Sequence, residues 1–184
     1  MSCAKGNSVV PEYPWYAEVV DGSLDQGDVL VACPAGYLPN DWDPANREQF
    51  FQVDVFDLIV LTQACDLAHV KTEYVVCCPV FSHTRIDNEY PGQSARYIAN
   101  QKEKVLQGVV PGSTMIAAHD GDIQRAISVV SFRQVFSLPK SFLLLKAKER
   151  HLRLLPPYRE HVSQSFARFF MRVGLPREIP SFRG

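Results

Sequence analysis

The run Phe51-Gln52-Val53-Asp54-Val55-Phe56-Asp57-Leu58-Ile59-Val60-Leu61-Thr62 alternates with a period of two. Val53, Val55, Asp57, Ile59 and Leu61 share one face, and Phe56, Leu58 and Val60 share the other. Mostly apolar residues on both faces predict a central strand covered from each side. Upstream, Asp25 to Ala32 places a glycine turn at Gly27 before an aliphatic strand that Cys33-Pro34 should end. Ala35 to Gln49 is rich in Pro, Asn, Asp and Gly and reads as a long loop, with Trp42 as an isolated apolar anchor. Downstream, Gln63 to Thr72 reads as a turn, and Glu73 to Phe81 as a second strand closing at Pro79 or soon after.

Farther out, Ser94 to Gln107 predicts a helix capped by Ser94 and stopped by Gly108. Ser113 to Ala118 and Ile123 to Phe132 predict strands joined through His119-Asp120-Gly121-Asp122, a hairpin signal. From Pro139 the pattern turns helical. The last helix opens at Pro157 and repeats Val162, Phe166, Phe169, Phe170 and Val173 at helical spacing, with Glu160, Gln164, Arg168 and Arg172 as a polar stripe. The expected fold is α+β: a small, mostly antiparallel β-barrel over 1–139, acidic and β-rich, with a basic helical C-terminal segment over 140–184 packed on it.

The chain has 184 residues, 46% hydrophobic and 11% aromatic, enough for one sizeable core and against general disorder. No apolar stretch is long enough to span a bilayer, so no membrane partner is expected. The start, Met1-Ser2-Cys3-Ala4-Lys5-Gly6-Asn7, lacks an apolar signal region, and the expected compartment is the cytoplasm. Five cysteines without secreted-scaffold spacing predict reduced thiols. The formal charge of −1 conceals a split: 9 Lys and Arg against 17 Asp and Glu up to Pro139, then 10 against 3 from Lys140. The basic end either meets an acidic partner or is neutralised by its own acidic body.

Three constellations could carry chemistry. In Thr62-Gln63-Ala64-Cys65-Asp66-Leu67-Ala68-His69, polar groups follow a buried strand. Cys65 could act as a nucleophile, with His161 as base and Gln63 as an oxyanion donor, although adjacent Asp66 works against a thiolate. A buried inert cysteine is the simpler reading. Zinc is the cofactor to consider, held by Cys65, His69, Cys78 and His83, or by Cys65, Glu160 and His161 with His151 or His119; without a CxxC or HExxH pair, no metal is the expectation. Arg159, His161, Arg168 and Arg172, with Gln63, Lys71 and Arg133, could contact phosphates or a protein partner, or the arginines could pair internally. No P-loop, GxGxxG, GxSxG or EF-hand pattern occurs.

The blocks Thr62-Gln63-Ala64-Cys65-Asp66-Leu67, Ser131-Phe132-Arg133 and Pro157-Tyr158-Arg159-Glu160-His161 through Arg172-Val173-Gly174-Leu175-Pro176 resemble an uncharacterised bacterial protein family, which implies a bacterial source and no particular activity. Gly27-Asp28-Val29-Leu30, Leu58 to Thr62 and Val75 to Val80 are similar to the opening strand order of the MazF/PemK toxins, SH3-like barrels that cleave RNA. That resemblance covers about a third of the chain and implies a barrel. The basic Arg-Pro pair of that group is replaced by Phe56-Asp57, which separates the implied barrel from the implied ribonuclease chemistry. The leading expectation is a protein binding nucleic acid or a nucleoprotein partner, with RNA cleavage as its extension. A Cys65/His161 thiol- or metal-dependent hydrolase and a non-catalytic accessory subunit are the alternatives.

Overall fold

The computed structural model describes residues 13–43, 45–46, 51–84, 86 and 92–171. Ten strands are present among them: β1 Tyr16–Val19, β2 Asp28–Tyr37, β3 Gln52–Val60, β4 Tyr74–Ser82, β5 Ser113–Ile116, β6 His119–Asp120, β7 Gln124–Arg125, β8 Ser128–Ser131, β9 Phe136–Pro139 and β10 His151–Leu154. The helices are α1 Ala64–Ala68, α2 Ala95–Leu106, α3 Lys140–Ala147 and α4 Tyr158–Phe170. None is long and apolar enough to cross a membrane.

The architecture is α+β around an antiparallel sheet ordered β1-β10-β2-β3-β4-β8-β5, with β9 on a further stretch of β4. β3 is central, flanked by β2 and β4 through pairs such as Val29↔Ile59 and Ile59↔Cys78. Its two faces feed two cores. Ile59 and Leu61 join Val29, Cys78, Val130, Leu152 and Leu154 under α4, which contributes Val162. Leu58 and Val60 join Leu30, Val75 and Cys77 under α3, which contributes Leu143 and Ala147. The buried half of β3 is its C-terminal half; Val53 and Val55 face solvent. Burial also pushes the core thiols upward, Cys33 to about 11 and Cys78 to about 12, so both stay protonated.

Pro34, expected to end its strand, instead lies within β2, whereas β4 closes at Ser82, soon after Pro79 as expected. A register shift between Leu30 and Cys33, with Ala32 at φ 51, reshapes β2 before Pro34. Beyond that point β3 is the only neighbour of β2 among the described residues, since β10 pairs no farther than Leu152↔Val29 and Arg153↔Asp28. A stretch of strand with a neighbour on one side is where proline, which has no amide to donate, is tolerated. Pro79 falls in the gap between the β9 pairing, which ends at Cys77, and the β8 pairing, which begins at Val80.

Three further expectations are corrected. Gln63 to Thr72 contains the short helix α1 rather than a turn alone, the Ile123 to Phe132 strand is broken into β7 and β8, and the basic segment from 140 is not wholly helical. Its β10 lies between β1 and β2 in the sheet.

The barrel is not closed: β1 and β5 end the strand order without pairing with each other. Side chains span the interval. Tyr16 Oη donates to the Ala117 carbonyl at 2.7 Å, and Glu18 Oε1 accepts from the Ile123 amide at 3.1 Å and lies 3.2 Å from His119 Nε2. The Ile123 amide leads the interactions that hold the Glu18 carboxyl below its usual range. Two strand edges bridged by side chains give a curled open sheet.

Where β10 meets β2, Asp28 is fully buried and faces Arg153 at 2.5 Å, with His151 Nε2 at 3.2 Å. Asp28 also accepts from the Asp25 amide at 2.7 Å, which closes the turn before β2. Burial opposes charge on His151, yet the Asp28 carboxylate and the Glu149 carbonyl outweigh it and raise its pKa. A raised folded-state value means that protonated His151 stabilises the fold fully below about pH 6.5 and that this contribution disappears as pH rises through the folded value. Urea unfolding across that window should show stability falling in the native chain and a flatter profile in His151→Gln. Parallel profiles would contradict this assignment.

Candidate functional site

Two adjoining depressions share Val110, Gly112 and Ser113. The first, of about 340 Å³, lies between α2 and β8; Ile86, Val105 and Val129 form part of its wall, and Gln101, Ser131 and Arg133 line it as well. The second, of about 270 Å³, runs along α4, where His161, Ser165, Arg168 and Phe169 face the loop from Gln107 to Gly112.

Local sequence builds this arrangement. Ser94 Oγ accepts from the Tyr97 amide at 3.3 Å, capping α2 as expected, and Gly108 takes φ 67 just beyond its C-terminus. The chain then returns through Pro111 to Gly112, at φ 93. A Cβ at Gly112 would lie 3.1 Å from Phe169 Cε2 and 3.2 Å from Arg133 Nε. Only glycine suits both this backbone and this close approach. Gly112 thus lets Arg133, from the β8–β9 turn, and Phe169, from α4, meet over one loop.

α4 is itself fixed at several points. Trp15 stacks on Tyr158 with ring centroids 3.7 Å apart, and Gln26 Nε2 donates to the Leu61 carbonyl and Ser163 Oγ. Phe132 and Phe166 meet edge to face at 5.6 Å. With Val162 buried, His161, Ser165 and Arg168 recur at i, i+4 and i+7 along the flank above the loop.

The described residues of these two linings include no Asp or Glu. Arg133 and Arg168 make no ion pair or side-chain hydrogen bond among the described residues, in contrast to several basic groups of the C-terminal segment. Arg150 reaches Glu18 and Asp122, Arg153 reaches Asp28, and Arg159 reaches Glu160 at 2.7 Å and Asp25 at 3.9 Å. Lys146 pairs with Glu149, and Lys140 Nζ donates to the Leu67 and His69 carbonyls. Lys146, Arg150, Arg153 and Arg159 of the basic segment are therefore paired with carboxylates of the chain itself, and Arg159 belongs to that internal set rather than to an open binding surface.

The other candidates are dispersed. Cys65 is exposed, with Sγ 3.7 Å from Gln63 Oε1 and 3.9 Å from Asp66 Oδ1. Gln63 and Asp66 line a separate shallow depression beside Tyr74 and Phe166. The structure groups Cys65 with Asp66, and His161 lines a different depression from Asp66. Lys71 is exposed in the turn after α1 and is not among the lining residues of either depression. Arg172 lies outside the described residues. For zinc, Cys78 is buried in the core while Cys65 is exposed, and His83 Nδ1 is 3.2 Å from the Ile127 carbonyl. Among the described residues, no three His, Cys, Asp or Glu side chains are grouped as a metal site requires.

Sequence reasoning named Arg133, His161 and Arg168 but not the loop that unites them. Gly108 and Pro111-Gly112 were its available signal, a pair of chain-bending positions between a helix and a strand. No protein-family model and no curated protein matches the chain.

Proposed function

We propose that the protein binds nucleic acid, RNA foremost, along the cleft lined by Arg133, His161 and Arg168. The observation that carries this reading is the convergence of two arginines and a histidine, from two separate elements, on linings whose described residues include no carboxylate, the arginines having no side-chain partner among the described residues. Guanidinium groups can bind phosphate oxygens through charge-assisted, paired hydrogen bonds. The SH3-like, MazF-like reading of the curled sheet supports RNA as the polymer. Binding rather than cleavage is the activity in view, because His161 is the only described lining residue suited to proton transfer.

The test is anisotropy of a labelled single-stranded oligouridylate of about 12 nucleotides, within the range of single-strand site sizes. Affinity should fall steeply between about 50 and 200 mM salt. Removing Arg133 or Arg168 as alanine should weaken binding about tenfold each, and removing both should reduce the log–log salt slope by about 1.4. Absence of binding at low salt, or an unchanged slope in the double variant, would overturn the proposal.

A further inference from the structure

We infer that the depression between α2 and β8 receives one unstacked base of a single-stranded nucleic acid, so that the cleft selects unpaired strands over duplex. This rests on the reading of the cleft as a phosphate-binding surface and assigns a second role to the space beside it.

At about 340 Å³ the depression lies near the lower end of the range that small ligands occupy. Its wall is preformed: Ile86, Val105 and Val129 are buried together as a separate apolar cluster, with Val110 and Met115 packed against it. An aromatic base has two apolar faces for such a wall. Its edge needs hydrogen-bond donors and acceptors, and Gln101, Ser113 and Ser131 supply both kinds. An amide that can present either group, flanked by hydroxyls, suits a base edge better than it suits a purely apolar ligand.

The placement of charge completes the argument. Arg133 lines the base-sized depression, Arg168 and His161 line its neighbour, and Gly112 and Ser113 belong to both. A strand following the cations would therefore pass the mouth of the depression. Phe169 in the second lining offers an aromatic surface on which a neighbouring base can stack. A duplex keeps its bases paired and stacked and can offer only phosphates and groove edges. A purely acidic segment such as poly-glutamate could satisfy the arginines but has no apolar face for the wall formed by Ile86, Val105 and Val129.

The test uses the full chain and four probes at one salt concentration: an oligouridylate, the corresponding oligodeoxyuridylate, a duplex of equal length, and a single strand carrying abasic sugars in place of its nucleosides. A single strand with bases, of either sugar, should bind at least about tenfold more tightly than the duplex or the abasic strand. Gln101→Ala should weaken the base-bearing strand severalfold while leaving its salt slope unchanged, unlike Arg168→Ala, which lowers the slope. Circular dichroism should show both variants folded.

Equal affinity for base-bearing and abasic strands, or for strand and duplex, would overturn the base pocket while salt-dependent binding remained intact. Loss of salt-dependent binding to every nucleic acid would instead overturn the parent reading, as would equal or tighter binding of poly-glutamate. An effect of Gln101→Ala on the abasic strand equal to that on the base-bearing strand would also count against a base contact.

Discussion

Asp28→Ala is expected to lower folding stability by about 3–5 kcal/mol, because it leaves a largely buried cation without its counter-charge. Asp28 is fully buried, and the Arg153 side chain is about four-fifths buried against it. The variant also removes the acceptor of the Asp25 amide and leaves His151 beside an uncompensated guanidinium. Arg153 would keep only Ser23, whose carbonyl and hydroxyl lie 3.2 Å from its Nη2. Urea unfolding followed by tryptophan fluorescence would measure the loss. If Asp28→Ala does not fold, Asp28→Asn retains the shape and the amide contact and gives a measurable intermediate. The paired change Asp28→Ala with Arg153→Met should recover part of the stability, since removing both charges costs less than stranding one. A loss below about 1 kcal/mol in Asp28→Ala would show that the triad contributes no more than an exposed ion pair.

Phe132→Ala should cost a comparable amount, about 3–5 kcal/mol, through lost burial and an incompletely closed cavity. Phe132 is almost wholly buried, immediately after β8, and joins the apolar core beneath α4. Its ring meets Phe166, and Phe166 meets Phe170 at 4.9 Å, so aromatic packing continues along the helix. The same change should make α4 less firmly seated, with faster amide exchange there than in the β2–β3 ribbon. Phe132→Leu, which retains most of the volume, should lose much less. Equal exchange in α4 of the native and alanine forms would mean that Trp15, Tyr158 and Gln26 suffice to hold the helix.

The central strand was legible because its pattern is local: Leu58, Ile59 and Val60 are apolar on successive faces and need no distant partner to be recognised. The α2 cap at Ser94 and the opening of α4 after Pro157 were legible for the same reason. β10 was not. Its His151-Leu152-Arg153-Leu154 follows a lysine-rich helix, and the residue that makes Arg153 suitable for an interior position is Asp28, 125 residues earlier. The basic tail was visible as a charge sum but not as a set of separate pairings, which depend on tertiary approach. Arg133 and Arg168 stood out as residue types; their common loop depends on the space left by Gly112.

The late arrival of β10 also imposes an order on assembly. During synthesis, β1 and β2 emerge early, yet the strand that joins them is made more than a hundred residues later. Until then β1 has no ladder partner and the start of β2 is open on one side. The nascent chain can close its β2–β3–β4 portion first, through shorter loops, and must keep a strand-wide vacancy for residues 151–154. The interval exposes unpaired edges of the kind that recruit the wrong strand, and it makes the final sheet a slow, long-range closure.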